Sequence, residues 1–305
     1  MLSLLTTLVF ATEPAPPPIV NGSITLDFVQ VGAIMAYSDD YGGMSFCSGT
    51  LIDEMWVVTA AHCIEAVEEY AGYGMDIYFL LGHNLYSDDG VDYYDTVSGW
   101  EMHPEYSGTA SMISSDIGLL ELSTGITEVE PIPLSQEVPS DLWLGEYLDY
   151  VGWGVTSDGT EDSGRKRTTS IPYNSVDDTF LYAYDPNTNL CSGDSGGASL
   201  KWTEDGYTLV GVNSFVFAVQ GSQPCDGGAS GATRVDAYYD WIRQYVPEPA
   251  PPEPELTEED EDEEEKMMCS SSNGSGSLSW WLMVATVFGL RRGVQSKRVQ
   301  TERTQ

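Results

Sequence analysis

The sequence predicts an all-β body of barrel or sandwich type over residues 19–246. Glycine and tyrosine are abundant, at 31 and 18 residues, and long stretches of helical period are scarce. Short runs of β-type residues recur between clusters of Gly, Asp, Ser and Asn, the texture of strands joined by turns. Residues 56–60, 77–81, 117–122, 147–151 and 208–212 are examples. One helix is expected, over residues 235–245 (VDAYYDWIRQY), where Tyr238, Trp241, Ile242 and Tyr245 share a face. At 305 residues the chain has room for one large or two modest domains with a sizeable core.

Both ends differ from this body. Residues 1–11 (MLSLLTTLVFA) are a short apolar run of the signal-peptide kind, although no Lys or Arg lies among them; an apolar first strand is the other reading. Residues 12–18 (TEPAPPP) are a stiff extended spacer, read as a short pro-segment. Residues 247–266 form a stalk: within 247–265 eleven acidic residues and five prolines leave nothing to bury, and like charges keep the chain extended. Residues 267–305 are a C-terminal segment. Its apolar part, residues 278–290 (LSWWLMVATVFGL), is followed by Arg291, Arg292, Lys297, Arg298 and Arg303. As a helix it reaches about 20 Å, short of a hydrocarbon core of about 30 Å. The basic cluster fits the cytoplasmic flank of an anchor. Small residues, a short apolar run and arginines in that order resemble the tripartite C-terminal sorting signals of bacterial surface proteins. Cys269 stands where the myxobacterial type of that signal is processed and attached. A thin-membrane anchor and an interfacial helix are the other arrangements the segment fits.

Charge and cysteines bound the partners and the compartment. Twelve Lys+Arg against 48 Asp+Glu give a formal net charge of −36. Such a surface repels nucleic acid and anionic lipid and favours neutral or cationic partners. The five cysteines are Cys47, Cys63, Cys191, Cys225 and Cys269. An odd count in a chain that reads as exported points to two bridges and one cysteine with a separate task.

The chemistry concentrates in residues 191–197 (CSGDSGG). Glycines let the backbone turn with φ > 0 and approach other groups closely. Successive N–H groups can then point into one space, as acyl transfer requires for an oxyanion. Upstream, an apolar strand ends in small residues before His62 and Cys63, and Asp116 opens another apolar run. Buried beside His62, that carboxylate would hold one imidazole N–H and steady the imidazolium. His83 and His103 lack such settings and read as surface or packing residues.

Taken together, residues 19–22 (IVNG), 47–52 (CSGTLI), 59–63 (TAAHC), 116–120 (DIGLL), 152–154 (GWG) and 193–197 (GDSGG) follow one order. That series resembles the chymotrypsin-like (trypsin-fold) serine endopeptidases over residues 19–246. The resemblance implies two antiparallel six-stranded β-barrels, about residues 19–130 and 131–246, with a C-terminal helix and a cleft between them. It implies Ser195 as nucleophile, His62 as general base and then acid, and Asp116 as the group orienting His62. The N–H groups of Gly193 and Ser195 would form the oxyanion hole. Ser214 would support Asp116, and Ser214, Phe215 and Val216 would pair with the substrate backbone. Cys47–Cys63 and Cys191–Cys225 would be the disulfides. An inactive relative used as a surface binding or adhesion module is the rival reading.

Departures from the pattern carry expectations of their own. Family zymogens are often cut after Arg or Lys, and the freed ammonium pairs with the aspartate before the serine, here Ile19 with Asp194. Ile19 follows Pro18 instead, so another, unknown peptidase would make the cut. Asn189 stands where trypsins have an aspartate, and Val216 narrows a wall, so P1 should be small or medium and uncharged. Asp88, Asp89, Asp92 and Asp95 read as a solvated acidic loop, and no metal or cofactor is assigned. The resemblance therefore implies a secreted or surface-attached endopeptidase acting on proteins or peptides. Its activity should rise as His62 deprotonates, around pH 6.5–7 for an unperturbed ring.

Overall fold

The computed structural model describes residues 19–109 and 112–248. The readings made for residues 1–18, for the stalk beyond residue 248 and for the C-terminal segment with Cys269 lie outside them. In chain order, β1 (Ser23–Ile24) precedes β2 (Val31–Ser38), β3 (Gly42–Asp53) and β4 (Trp56–Thr59). Helix α1 (Ala61–Gly72) follows, then β5 (Asp76–Gly82), β6 (Val91–Met102), a small hairpin of β7 (Ser107–Thr109) and β8 (Met112–Ser114), and β9 (Gly118–Leu122). The strands β2-β3-β4-β9-β6-β5 close into a barrel, all pairings antiparallel. Its strands show why: in β9 (GLLEL) Leu119, Leu120 and Leu122 are buried while Glu121 is exposed. Ile34, Leu51, Val57, Phe79 and Leu81 join them in one core. Each such fully buried side chain contributes about 1.5–3 kcal/mol before chain entropy is subtracted.

A short 3₁₀ turn (Asp141–Trp143) leads into the second half: β10 (Tyr147–Gly152), β11 (Arg167–Val176), β12 (Phe180–Tyr184), β13 (Ala198–Thr203), β14 (Gly206–Phe217) and β15 (Ala229–Arg234). The order β11-β10-β13-β14-β15-β12, with β12 pairing back to β11, closes the second six-stranded antiparallel barrel. Leu148, Tyr150, Ile171, Tyr173, Leu181 and Val210 fill its core. Helix α2 (Val235–Ile242) ends the described body. It is shorter than the expected 235–245, but Tyr245 keeps the helix face, with its ring against Trp241 and Trp56.

The two ends of the described body cross over. Strand β1 precedes the first barrel yet pairs with β11 of the second. Helix α2 follows the second barrel and places Val235, Trp241 and Ile242 in a core cluster that the first barrel shares with Val151, Leu209 and Val212 of the second. The region between is where the candidate residues converge.

Helix α1 corrects the expectation of a single helix. Ala61, Cys63, Ile64 and Val67 make a buried face while Glu65, Glu68 and Glu69 are turned toward solvent. The period is present in the sequence, but only over twelve residues, directly after a strand. The acidic-loop reading changes as well: Asp92 and Asp95 lie on β6, not in a loop. Asp95 is nearly buried and accepts hydrogen bonds from the N–H groups of Thr124 and Gly125. Among the described residues, no helix is long and apolar enough to cross a membrane.

Candidate active site

His62 lies in the first turn of α1, whose opening amides have no partner within the helix. Ala60 at the cap position offers no side-chain oxygen. Asp116 supplies one from a distance of 54 residues, its Oδ1 accepting from the His62 backbone N–H at 2.9 Å. Its Oδ2 lies 2.8 Å from His62 Nδ1. The same carboxylate therefore caps the helix and fixes the ring.

Asp116 is wholly buried and receives further support. The Ser214 hydroxyl donates to its Oδ2. Ser214 can do so because the pairing of β14 with β15 shifts register between Asn213 and Phe215, and such a bulge re-aims a side chain. The Asp116 carbonyl accepts from Thr233 Oγ1 at 2.7 Å. Just before it, Ser115 sits at φ 49°, sparsely populated for a residue with a side chain. The Tyr238 hydroxyl of α2, 3.0 Å from Ser115 Oγ, holds that turn. Burial of the His62 ring disfavours its charged form, yet the hydrogen bond to Asp116, the Asp116 charge and Glu65 together raise its pKa above the ordinary value. The expected onset of activity around pH 6.5–7 moves upward accordingly.

Ser195 lies in the loop before β13. Its carbonyl accepts from the Ser48 N–H at 2.8 Å and lies 3.6 Å from Cys63 Sγ, the residue after His62. The backbone of the serine is thus brought to the histidine turn. The Ser195 hydroxyl makes no hydrogen bond to the ring in this structure, and His62 Nε2 has no partner among the described residues. Such bonds are often long before substrate is bound.

The loop around Ser195 is held by its carbonyls. The Ser192 carbonyl accepts from Val155 N–H at 2.9 Å, and the Asp194 carbonyl from Gly197 N–H at 3.0 Å and from Asn213 Nδ2 at 3.2 Å. Because trans peptides point N–H opposite C=O, the amides of Gly193 and Ser195 face the other way. Neither has an acceptor among the described residues. Gly193 takes φ 94°, and a Cβ there would meet Gly154 Cα at 2.8 Å. The Ser48 hydroxyl donates to the Gly193 carbonyl at 2.8 Å and accepts from Trp153 N–H at 3.0 Å.

Asp194 is fully buried, and burial raises its pKa to about 6 against the N–H groups of Cys191 and Gly154 and the charge of Arg167. Those N–H groups donate at 2.9 Å and 2.8 Å. Ile19 is buried too, and Val20 bridges to Asn189. The structure does not hydrogen-bond Ile19 to Asp194.

A cavity of about 200 Å³ opens beside the serine, lined by Leu190, Ser192, Ser195, Ser214, Phe215 and Val216 among others. Val216 stands opposite Ser230 across β14 and β15. Asn189 is buried and its Nδ2 donates to the Pro224 carbonyl at 3.0 Å. Both disulfides implied by the resemblance are formed, Cys47–Cys63 and Cys191–Cys225. The first ties α1 to β3, the second ties the serine loop to the loop before β15. Ser48, Thr233, Tyr238, Asn213 and Arg167 had no assigned role in the sequence. Nothing in their spacing points to one: Ser48, Thr233 and Tyr238 act through partners far away in the chain, and Arg167 and Asn213 through loops whose approach the letters do not show.

Comparisons with known proteins agree with this geometry. The family model described as Trypsin matches residues 30–242. A trypsin of Saccharopolyspora erythraea is 29% identical over 210 residues, 67% of this chain and 88% of that protein. Brachyurin of Leptuca pugilator is 29% identical over 66% of this chain and 87% of its own length. Chymotrypsin-like elastase family member 1 of Macaca fascicularis is 26% identical over 280 residues, 80% of this chain and 99% of that protein.

Proposed function

This chain belongs to the trypsin family of serine proteases, and from that premise we propose that it is an active endopeptidase, hydrolysing peptide bonds through an acyl-enzyme on Ser195. The observation that carries the reading is the two-point hold of buried Asp116 on His62, which leaves Nε2 free for a proton from the serine. Ser195 Oγ attacks the scissile carbonyl, and His62 takes its proton and passes it to the leaving amine. Asp116 keeps the tautomer and stabilises the imidazolium. The inward-held carbonyls of Ser192 and Asp194 leave the Gly193 and Ser195 amides for the oxyanion, each such donor being worth about 3–4 kcal/mol. Water then releases the acyl group by the same route.

The substrates are proteins or peptides with a small or medium, uncharged P1 residue. Three observations support this: the modest cavity, Val216 facing Ser230, and an Asn189 already occupied with Pro224. Ser214, Phe215 and Val216 receive the substrate backbone as an added strand. Export fits the two disulfides and the apolar start of the chain. The stalk and the tail with Cys269 would then hold the enzyme at the cell surface. Cutting after Pro18 by another peptidase would bring an ammonium on Ile19 to Asp194.

A fluorophosphonate probe tests the reading. Labelling of the full chain at Ser195, lost in Ser195→Ala, is the expected result. A folded chain that stays unlabelled and cleaves no peptide both before and after a cut that frees Ile19 would identify a protease-fold binding module instead.

A further inference from the structure

Arg167, at the start of β11, is 1% exposed. A buried guanidinium is costly unless it is paired and hydrogen-bonded. Its Nη1 donates to the Gly154 carbonyl at 2.5 Å and its Nη2 to the Asp162 carbonyl at 2.9 Å. The Asp162 carboxylate is 3.7 Å away but nearly half exposed, so it offsets the charge only in part. Nε has no partner.

What Gly154 touches gives this arginine its meaning. The Gly154 N–H donates to Asp194 Oδ1 at 2.8 Å, so one residue carries the arginine on its carbonyl and the aspartate on its amide. There is no room at its α-carbon: a Cβ would meet Asp194 N and Ser192 O at 2.6 Å. The next amide, Val155, holds the Ser192 carbonyl. Gly154 is therefore the backing against which residues 192–194 are set, and Arg167 anchors it from behind. Of the charged groups, Arg167 is the one that favours ionised Asp194. Asp162, Asp194 and Tyr86 face the guanidinium favourably, and Arg165 opposes it.

Resting on the peptidase reading above, we propose that Arg167 is a positioning residue whose buried charge holds Gly154 and Asp194, and so sets the oxyanion loop while the Pro18–Ile19 bond is still intact. A cut at Ile19 then strengthens an arrangement that already stands. This accounts for a loop in place, with Gly193 and Ser195 amides directed away from the interior, while Asp194 is held by the Cys191 and Gly154 amides and not by Ile19.

The test uses the full chain carrying Pro18→Arg, so that a brief trypsin pulse frees Ile19, with the N-terminus verified by intact mass. Fluorophosphonate labelling rates are measured against pH, cut and uncut, for Arg167, Arg167→Gln and Arg167→Lys. The uncut parent should label within about tenfold of the cut form. Uncut Arg167→Gln should be roughly 10²-fold slower, the scale of losing one oxyanion donor. Its acid limb should also move to higher pH, since removing the cation makes Asp194 harder to ionise. Arg167→Lys should recover most of the uncut rate, and the cut should restore Arg167→Gln. An uncut parent that is inert while its cut form labels overturns the proposal and leaves the peptidase reading intact. So does an uncut Arg167→Gln chain with parental rate and pH profile. Arg167→Gln that stays inert after the cut assigns Arg167 to folding alone and also overturns it. A parent inert in both forms overturns the peptidase reading, and this proposal with it.

Discussion

Asp116 binds His62 at two points, the backbone amide at 2.9 Å and the ring Nδ1 at 2.8 Å. One side chain thus caps a helix and orients an imidazole. The two tasks separate on mutation. Asp116→Asn keeps an oxygen for the backbone amide but presents an amide to the ring, favouring the wrong tautomer. We expect kcat to fall about 10⁴-fold, the magnitude of this same change in the Ser-His-Asp template itself. Thermal unfolding should show a stability loss of no more than about 1–2 kcal/mol. A kcat within tenfold of the parent would remove Asp116 from the mechanism.

The pH profile follows from the raised His62 pKa. Only the neutral ring accepts a proton, so kcat/KM should climb with pH through a midpoint above 6.5. In Asp116→Asn the burial persists while the charge is gone, and that midpoint should drop. The linked stability runs the other way. A histidine whose folded pKa is raised adds stability fully present below its unfolded pKa of about 6.5, lost as pH rises through the folded value. Kinetics and melting curves between roughly pH 5 and 9, which spans the range where histidine side chains titrate, check both slopes.

Ser48→Ala removes a hydroxyl shared by the Trp153 amide and the Gly193 carbonyl. A buried amide and a partly buried carbonyl lose their partner, at a cost of about 1–3 kcal/mol. The Gly193 peptide is also freed to turn, so kcat should fall roughly tenfold or more, part of the loss from deleting an oxyanion donor. An unchanged kcat alongside the stability loss would show that the loop is held adequately by its other bonds.

Val216→Gly opens the wall that faces Ser230. Selectivity should shift toward large P1 residues, with kcat/KM for Phe over Ala rising about 10–100-fold. Peptide-library profiling reads this directly, and strong Arg or Lys preference in the parent would refute the uncharged-P1 assignment.

Removing the Cys191–Cys225 bridge, which spans 34 positions of the chain, by paired alanine substitution should lower stability by about 2–4 kcal/mol. Activity should fall further than that of a Cys47–Cys63 double variant if the bridge also steadies the serine loop. Denaturant titration with parallel kinetics separates the two effects.

The fold was legible because strand alternation and turn residues are local. Val57 and Val58 before Thr59, or the leucines of β9 around Glu121, state their burial in the order of their letters. His62, Asp116, Ser195 and the four paired cysteines could be named because they sit inside short, ordered motifs. Helix α1 was missed because twelve residues of helical period next to a strand give little pattern to count. The supports were not legible at all. Ser214 reaches Asp116 through a bulge that appears only when β14 meets β15, and Tyr238 reaches Ser115 only because α2 crosses back to the first barrel. Arg167 is the plainest case: in the sequence it is one of three neighbouring cations, and only barrel closure buries it against Gly154 behind Asp194. Sequence by itself determined which side chains are the candidates for the chemistry. Tertiary structure decided which distant hydroxyls, amides and charges hold them, because a desolvated group is fixed by whatever partner packing brings to it.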